Sequence, residues 1–170
     1  MDLTQFIRDI PDFPKKGILF KDITPLLNNP KATSVCVERL LEKLNDIKID
    51  RVVGIEARGF FFATLLAQKL DAGFVPIRKP GKLPYDTISE TYDLEYGSDA
   101  LQMHRDAILA GENILLHDDV LATGGTAAAA CRLIEQLGGN IVQCSFLMEL
   151  RFLGGREKLG EHPVSALLEF

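Results

Sequence analysis

The chain has 170 residues, of which 46% are hydrophobic and 25% are charged, and its net charge is −5. A composition this apolar excludes a disordered chain, and the length is that of one ordinary domain. The acidic balance and the lack of a long basic face exclude nucleic acid as the main partner.

The cysteines and the apolar runs indicate where the protein works. Cys36, Cys131 and Cys144 lie in apolar segments without a C-x-x-C spacing, which is typical of free buried thiols in a reducing compartment. The first ten residues lack the apolar core of a signal peptide, and no apolar run approaches the roughly 18 residues of a membrane span. We therefore expect a cytoplasmic protein that does not engage a membrane.

The N-terminal part of the chain predicts little regular structure before residue 30. Residues 3–10 predict a short helix that Pro11 stops, and residues 11–29 predict an ordered loop rich in proline, glycine and asparagine. Asn29 and Pro30 form a helix start, a capping residue followed by proline at the first helical position. The apolar residues that follow share one helical face: Val37, Leu40, Leu41, Leu44 and Ile47.

Strands then alternate with helices to form an α/β pattern. This alternation predicts right-handed crossovers and a mostly parallel twisted sheet flanked by helices, within a single domain spanning residues 1–170. Residues 79–105 break the rhythm and predict a mobile loop followed by a short antiparallel hairpin. Residues 148–170 are expected to cap the sheet edge or to pack on residues 11–29. The predicted elements are strand 51–56, helix 59–70, strand 74–78, a strand ending in the acidic pair 118–119, helix 127–137 and strand 141–147.

The segment around residues 118–126 carries the strongest chemical signal. Asp118 and Asp119 end an apolar run, and a Thr-Gly-Gly-Thr loop and a helix follow. Glycines let backbone N–H groups approach a bound group closely, and a helix N-terminus adds positive partial charge, so this loop suits a phosphate. Two carboxylates repel a phosphate but suit hydroxyls or a divalent cation. The pattern therefore indicates a sugar phosphate.

Three loops are expected to meet at the carboxyl ends of the strands, where open parallel sheets bind ligands: residues 56–59, 78–82 and 118–126. Structural alternatives remain open for each. The acidic pair could be a solvated strand end with a helix cap, Arg58 could form a structural salt bridge, and the basic loop could be solvated surface. His117 favours a hydrogen-bonded place in the core, and no spacing of His, Cys or Asp indicates zinc.

Other phosphate-binding motifs are absent from the sequence. The glycine spacing of a G-x-x-x-x-G-K-[ST] loop occurs at Gly155 and Gly160, but Glu161 stands where the lysine is needed. There is also no G-x-G-x-x-G. The sequence therefore lacks the main motif evidence for a kinase, a GTPase or a dinucleotide-binding enzyme.

The acidic pair with Ala-Thr-Gly-Gly-Thr resembles the phosphoribosyl-diphosphate signature of type I phosphoribosyltransferases. Three further segments resemble the adenine phosphoribosyltransferase family within that group. Residues 13–26 look like its base-binding segment, residues 54–60 like its pyrophosphate loop, and residues 78–84 with 94–97 like its flexible loop and far end. The similarity runs in the same order from about residue 10 to the C-terminus.

This resemblance implies a fold, a reaction and partners. The fold carries a small hood, here about residues 1–30 and 148–170, and a flexible loop at about residues 79–97. The reaction converts adenine and 5-phosphoribosyl 1-diphosphate to AMP and pyrophosphate in purine salvage. Mg²⁺ is the implied cofactor and reaches the site with the diphosphate rather than through protein ligands. Members are usually homodimers.

The resemblance also implies a role for each matching residue. The acidic pair holds the ribose hydroxyls, Leu19 offers backbone groups to adenine beside Lys21, and Phe20 and Leu150 enclose the ring. Glu95 handles the proton of the purine, and Arg58 acts with it in catalysis. The 5′-phosphate is held by Ala122, Thr123, Gly124, Gly125 and Thr126. The pyrophosphate is held by Glu56, Ala57, Arg58, Arg78, Lys79 and Lys82.

Departures from the family pattern and two rival functions stay open. Lys21 stands where arginine is usual, Lys16 replaces a common proline, and His117 takes a position that is usually aliphatic. A related transferase acting on hypoxanthine, guanine, xanthine or orotate is one rival. The other is a sensor that binds phosphoribosyl diphosphate without turnover.

Overall fold

The computed structural model describes residues 1–44, 46–94 and 97–170, which form two compact units, Met1–Glu42 and Lys43–Phe170. In the first unit, strands β1 (Arg8–Pro11) and β2 (Leu19–Asp22) pair in antiparallel fashion. Two helices follow, α1 (Thr24–Leu27) and α2 (Pro30–Glu42).

Two predictions for this unit are wrong. Residues 3–10 contain only a 3₁₀ turn at Thr4–Phe6, and residues 8–10 belong to β1 because they pair with β2. Residues 11–29 are not all loop, since they supply β2 and α1. Pairing between segments separated by a turn overrides local helical preference here.

The predicted start of α2 is confirmed, but its predicted length is not. The Asn29 side-chain oxygen accepts the N–H of Ala32 at 3.0 Å, and Pro30 is the first helical residue. The helix ends at Glu42. Leu44 and Ile47 therefore lie beyond it, and Ile47 is 47% exposed rather than on the buried face.

The second unit is built on a five-stranded sheet in which every pairing is parallel. The strand order is β4-β3-β7-β8-β9, so β7 is central. Strands β5 and β6 form a separate antiparallel hairpin, as predicted for this part of the chain. The elements are β3 (Arg51–Ile55), α3 (Gly59–Lys69), β4 (Gly73–Ile77), β5 (Thr87–Asp93), β6 (Ser98–His104), β7 (Asn113–Leu121), α4 (Gly125–Gln136), β8 (Asn140–Glu149) and β9 (Val164–Glu169).

Strand β7 extends further than the sequence pattern indicates. The acidic pair lies inside the strand, because Val120 and Leu121 continue the pairing opposite Met148 and Glu149 of β8. Strand β8 is also longer than predicted and reaches Glu149. The C-terminal segment adds β9 to the sheet edge, which is the first of its two expected placements.

The two faces of this sheet differ in polarity. The face covered by α4 is apolar, and its residues Leu116 and Phe146 share a core cluster with Leu133 of α4. The buried polar residues of the described chain occupy alternate positions on the other face, as period-two strand geometry requires. They are His117, Asp119, Gln143, Ser145 and Glu149.

All three cysteines are buried and free, as predicted. The Cys131 and Cys144 sulfurs lie 3.6 Å apart between α4 and β8. Within the described ranges, every helix is too short or too polar to cross a bilayer.

Leu116→Ala tests the central position of β7. Leu116 is fully buried, so the substitution is expected to lower the free energy of unfolding by about 2–5 kcal/mol, measured by urea titration. Leu109→Ala is the matched control because Leu109 is 65% exposed, and its effect should stay within about 0.5 kcal/mol. Equal effects of the two substitutions would contradict this packing.

Candidate active site

The loop between β7 and α4 forms a small pocket at the carboxyl edge of the sheet. Gly124 adopts a left-handed backbone conformation, with φ of +81°, and its carbonyl accepts the N–H of Ala128 at 2.9 Å. Thr126 and Ala127 in the first turn of α4 line a pocket here, and the N-terminus of a helix favours bound anions. The pocket has a volume of about 80 Å³ and is lined by Asp118, Val120, Leu121, Ala122, Thr123, Gly124, Thr126 and Ala127.

The two carboxylates of β7 have different surroundings. Asp118 lines the pocket and accepts the N–H of Asp119 at 2.9 Å, whereas Asp119 is only 5% exposed. Burial, with the neighbouring Asp119 carboxylate, raises the pKa of Asp118 well above its ordinary value. Burial also raises the pKa of Asp119, and the positive charge of Arg58 offsets part of that rise.

The start of α3 packs closely against these carboxylates. A Cβ at Gly59 would lie 2.6 Å from Asp118 Oδ1 and 3.2 Å from the His117 carbonyl oxygen. Arg58, one residue earlier, places its Nε 2.8 Å from Asp119 Oδ2. The structural salt bridge considered for Arg58 is therefore present, and it joins two residues that the sequence assigns to neighbouring parts of one site.

The loops after β3 and β4 are joined by a second ion pair. The Glu56 carboxylate accepts two hydrogen bonds, one from Arg78 Nε at 3.0 Å and one from the backbone N–H of Lys79 at 2.8 Å. The Lys79 ammonium lies 2.9 Å from Asp99, and Lys82 is exposed. Glu56 thus contributes to this region by holding the basic loop, because its carboxylate already has cationic and N–H partners.

The predicted adenine-binding residues lie in separate units. In the first, Leu19 is 50% exposed, the Phe20 ring meets Phe13 edge-on at 5.1 Å, and the Lys21 ammonium lies 2.7 Å from Asp9. In the second, Leu150 follows β8 and donates its N–H to the Leu121 carbonyl at 2.9 Å. Glu95 lies outside the described residues.

His117 has the core role that its position favoured. It is fully buried, its Nδ1 lies 3.4 Å from Ser145 Oγ, and its ring meets Phe62 edge-on. Burial lowers the pKa of His117 to about 3, so the ring is neutral. A neutral imidazole with a hydroxyl neighbour replaces an aliphatic side chain here without adding charge to the core.

Sequence reasoning missed one neighbour of the loop between β7 and α4, Gly155; this loop, predicted to bind a phosphate, is here called the phosphate loop. A Cβ at this position would lie 2.3 Å from the Ala122 carbonyl oxygen and 3.0 Å from the Gly124 nitrogen. The only sequence signal was the spacing of Gly155 and Gly160, which points to a different motif. Contact between backbones leaves no pattern in side-chain chemistry.

Comparisons with known proteins agree with this geometry. The phosphoribosyl transferase domain model matches residues 23–162. An adenine phosphoribosyltransferase of Flavobacterium johnsoniae is 62% identical over 170 residues, covering 100% of both chains. The chain belongs to the adenine phosphoribosyltransferase family.

Two solved structures of this family extend the comparison to the fold. The adenine phosphoribosyltransferase of Thermoanaerobacter pseudethanolicus superposes with a TM-score of 0.97 at 50% identity, covering 99% of this chain and 98% of that chain. The Saccharomyces cerevisiae member, complexed with an imino-altritol bisphosphate and adenine, superposes with a TM-score of 0.93 at 46% identity over 98% and 96% of the two chains. The type I phosphoribosyltransferase fold predicted from sequence is therefore confirmed.

Asp118→Asn tests the electrostatics of the acidic pair. Because the folded-state pKa of Asp118 is raised, this carboxyl contributes stability below its ordinary value of 3.8, and that contribution is lost as the pH rises through the raised pKa. The amide stays neutral at every pH. We therefore expect Asp118→Asn to raise Tm at about pH 8 and the gain to shrink towards about pH 4.

Asp50→Asn is the contrasting control for this pH series. The N–H of Asn113 and the Lys48 ammonium lower the pKa of Asp50, so its carboxylate contributes stability at neutral pH that is lost on acidification. Asp50→Asn should therefore lower Tm at about pH 8. Thermal unfolding in which Asp118→Asn also loses stability at that pH would contradict the burial of the charge.

Proposed function

We propose that this protein transfers the 5-phosphoribosyl group of 5-phosphoribosyl 1-diphosphate to adenine, forming AMP and pyrophosphate. This is a glycosyltransferase reaction of purine salvage. The observation that carries the proposal is the pocket between the acidic pair and the start of α4, in a chain that matches adenine phosphoribosyltransferases over its full length. A phosphate site beside a diol site is what a phosphoribosyl substrate requires.

In this proposal the pocket holds the sugar at both ends. The segment Ala122, Thr123, Gly124, Gly125 and Thr126, which runs into the first turn of α4, directs backbone N–H groups and the positive end of α4 at the 5′-phosphate. Asp118 and Asp119 accept hydrogen bonds from the ribose hydroxyls. Because these carboxylates have little access to water, hydrogen bonds from the ribose hydroxyls would stabilise their charged form. Bound substrate would therefore stabilise the acidic pair.

Arg58 connects sugar binding to the leaving group. Breaking the bond between C1 and the diphosphate builds positive charge on the sugar and negative charge on the departing pyrophosphate. Arg58, Arg78, Lys79 and Lys82 supply positive charge at this edge, and Ala57 lies between Glu56 and Arg58 in the same turn. Fixed charges of this kind are often the largest catalytic contribution, about 3–4 kcal/mol for one group.

Mg²⁺ fits this site as a companion of the diphosphate. Among residues 1–44, 46–94 and 97–170, no group of three His, Cys, Asp or Glu side chains could hold a metal ion. Mg²⁺ prefers oxygen ligands and often keeps only one or two protein carboxylates. Substrate and water oxygens would form most of its shell, and the ion would neutralise charge on the diphosphate.

Adenine recognition is assigned to the backbone of Leu19, whose carbonyl and N–H match the 6-amino group and N1 of the base. Pro11 is the register partner of Leu19 in β1 and has no N–H, so it donates no hydrogen bond to that carbonyl. A 6-oxopurine reverses the donor and the acceptor. The ion pair of Lys21 with Asp9 would hold β2 in place.

The location and assembly of the protein complete the proposal. Free buried cysteines suit a reducing cytoplasm. Phe61 on α3 is 46% exposed, and an exposed aromatic side chain on an apolar helix suits burial against a second copy. We accordingly assign the protein a cytoplasmic location and a homodimeric state.

The test of this function is conversion of labelled adenine with phosphoribosyl diphosphate and Mg²⁺. We expect AMP and pyrophosphate in equal amounts. With hypoxanthine, kcat/KM should fall by about 10⁴-fold, because the backbone groups of Leu19 would be left unpaired. Comparable turnover of both bases would rule out recognition through Leu19, and no turnover of any purine would favour a sensor.

Glu95→Gln tests the proposed proton transfer to or from the purine. A carboxylate that moves a proton in the transition state contributes about 10²–10⁴-fold, so kcat should fall by that factor while the KM for adenine changes little. Glu161→Gln is the control, since Glu161 is exposed and distant in sequence from Glu95. Steady-state kinetics that show an unchanged kcat for Glu95→Gln would remove this residue from the mechanism.

A further inference from the structure

The phosphate loop is in direct contact with a backbone segment that has no role in the proposed reaction. We call residues 154–159 the support segment. A Cβ at Gly124 would lie 2.2 Å from the Gly155 carbonyl oxygen, and a Cβ at Gly155 would lie 2.3 Å from the Ala122 carbonyl oxygen. The two backbones thus touch with no side chain between them, so a shift of one displaces the other.

The support segment is fixed to the sheet by one guanidinium group. Arg156 Nε lies 2.9 Å from both Glu149 carboxylate oxygens, and its Nη2 lies 2.7 Å from Oε2. Its Nη1 donates to the Val164 carbonyl at 3.0 Å. One side chain therefore joins the end of β8, the start of β9 and the residue next to Gly155.

Burial makes this ion pair geometrically specific. The Glu149 side chain is 4% exposed, and the paired guanidinium donates two parallel hydrogen bonds to it. Removing one partner would leave a buried charge without compensation. The far end of the segment is also anchored, because Leu159 is 2% exposed within the core beside α4.

A neighbouring ion pair is weaker and more exposed than the pair of Arg156 with Glu149. Arg151 and Glu169 also join the C-terminal region to β9, but their closest atoms are 3.5 Å apart and both side chains are about half exposed. Exposed pairs of this kind contribute little. Arg151 therefore provides a matched comparison for Arg156 within the same region.

We propose that Gly155 and Arg156 are positioning residues that set the conformation of the phosphate loop and hence the affinity for the 5′-phosphate. The inference rests on the proposed function, since it assigns the phosphate of phosphoribosyl diphosphate to that loop. Gly155 sets the distance between the two backbones, and Arg156 holds Gly155 in place through Glu149. Neither residue contacts the reacting atoms.

The experiment compares Gly155→Ala, Arg156→Lys and Arg151→Lys with the native protein. If the loop binds the phosphate equally well in the ground and transition states, weakening that contact raises KM and leaves kcat unchanged. For Gly155→Ala we expect the KM for phosphoribosyl diphosphate to rise about 10- to 100-fold, with kcat and the KM for adenine within about twofold. Arg156→Lys keeps the charge but loses the two-pronged contact, so a smaller rise of the same kind is expected. Arg151→Lys should match the native protein.

Binding of ribose 5-phosphate, measured by calorimetry, separates this inference from the proposed function. If the native protein binds ribose 5-phosphate but converts no adenine, the reaction assignment fails, and the variants still test the loop by their weaker binding. If the native enzyme is active and both variants keep native affinity for ribose 5-phosphate, the inference is overturned. It is also overturned if the KM values for both substrates rise together as Tm falls, because that pattern marks a general structural role. Should Gly155→Ala fail to fold, the folded Arg156→Lys variant decides the question alone.

Discussion

The buried acidic pair on β7 is the constraint on which the rest of the site depends. Two adjacent carboxylates on a central strand are costly, since burial disfavours both charges and the Asp119 carboxylate further raises the pKa of Asp118. Arg58 reduces this cost through its contact with Asp119. The turn between β3 and α3 must therefore come close to β7, and Gly59 permits that approach because a side chain there would collide with Asp118.

A buried carboxylate paired with an arginine occurs at three strand ends. Glu56 follows β3 and pairs with Arg78, Asp119 lies near the end of β7 and pairs with Arg58, and Glu149 ends β8 and pairs with Arg156. In each pair the carboxylate is the more buried partner, with side-chain exposures of 12%, 7% and 4% against 33%, 37% and 39% for the arginines. In each case a largely buried carboxylate at a strand end holds an arginine from another segment of the chain.

The sequence predicted local structure correctly where adjacent residues alone determine it. The start of α2 at Asn29 and the β5–β6 hairpin are each specified by adjacent residues, whereas α4 begins at Gly125, two residues earlier than the predicted start at residue 127. Prediction failed where distant partners decide the outcome. Residues 8–11 form a strand because β2 lies opposite, and the strand containing the acidic pair extends to Leu121 because β8 continues beside it. The contact of Gly155 with the phosphate loop also left no recognisable pattern, because it joins backbone to backbone.

The parallel order of the sheet also determines how this chain must assemble. Asn113 at the start of β7 bonds to Asp50 beside β3 across 63 positions, whereas the β5–β6 hairpin joins Asp93 to Ser98. Local contacts close quickly and distant ones slowly, so the hairpin can form well before the central strand finds its neighbours. During that interval the apolar run 114–116 is an aggregation hazard. Asp118 and Asp119 follow this run after His117, and charges that flank an apolar strand in this way act as gatekeepers against aggregation of the nascent chain.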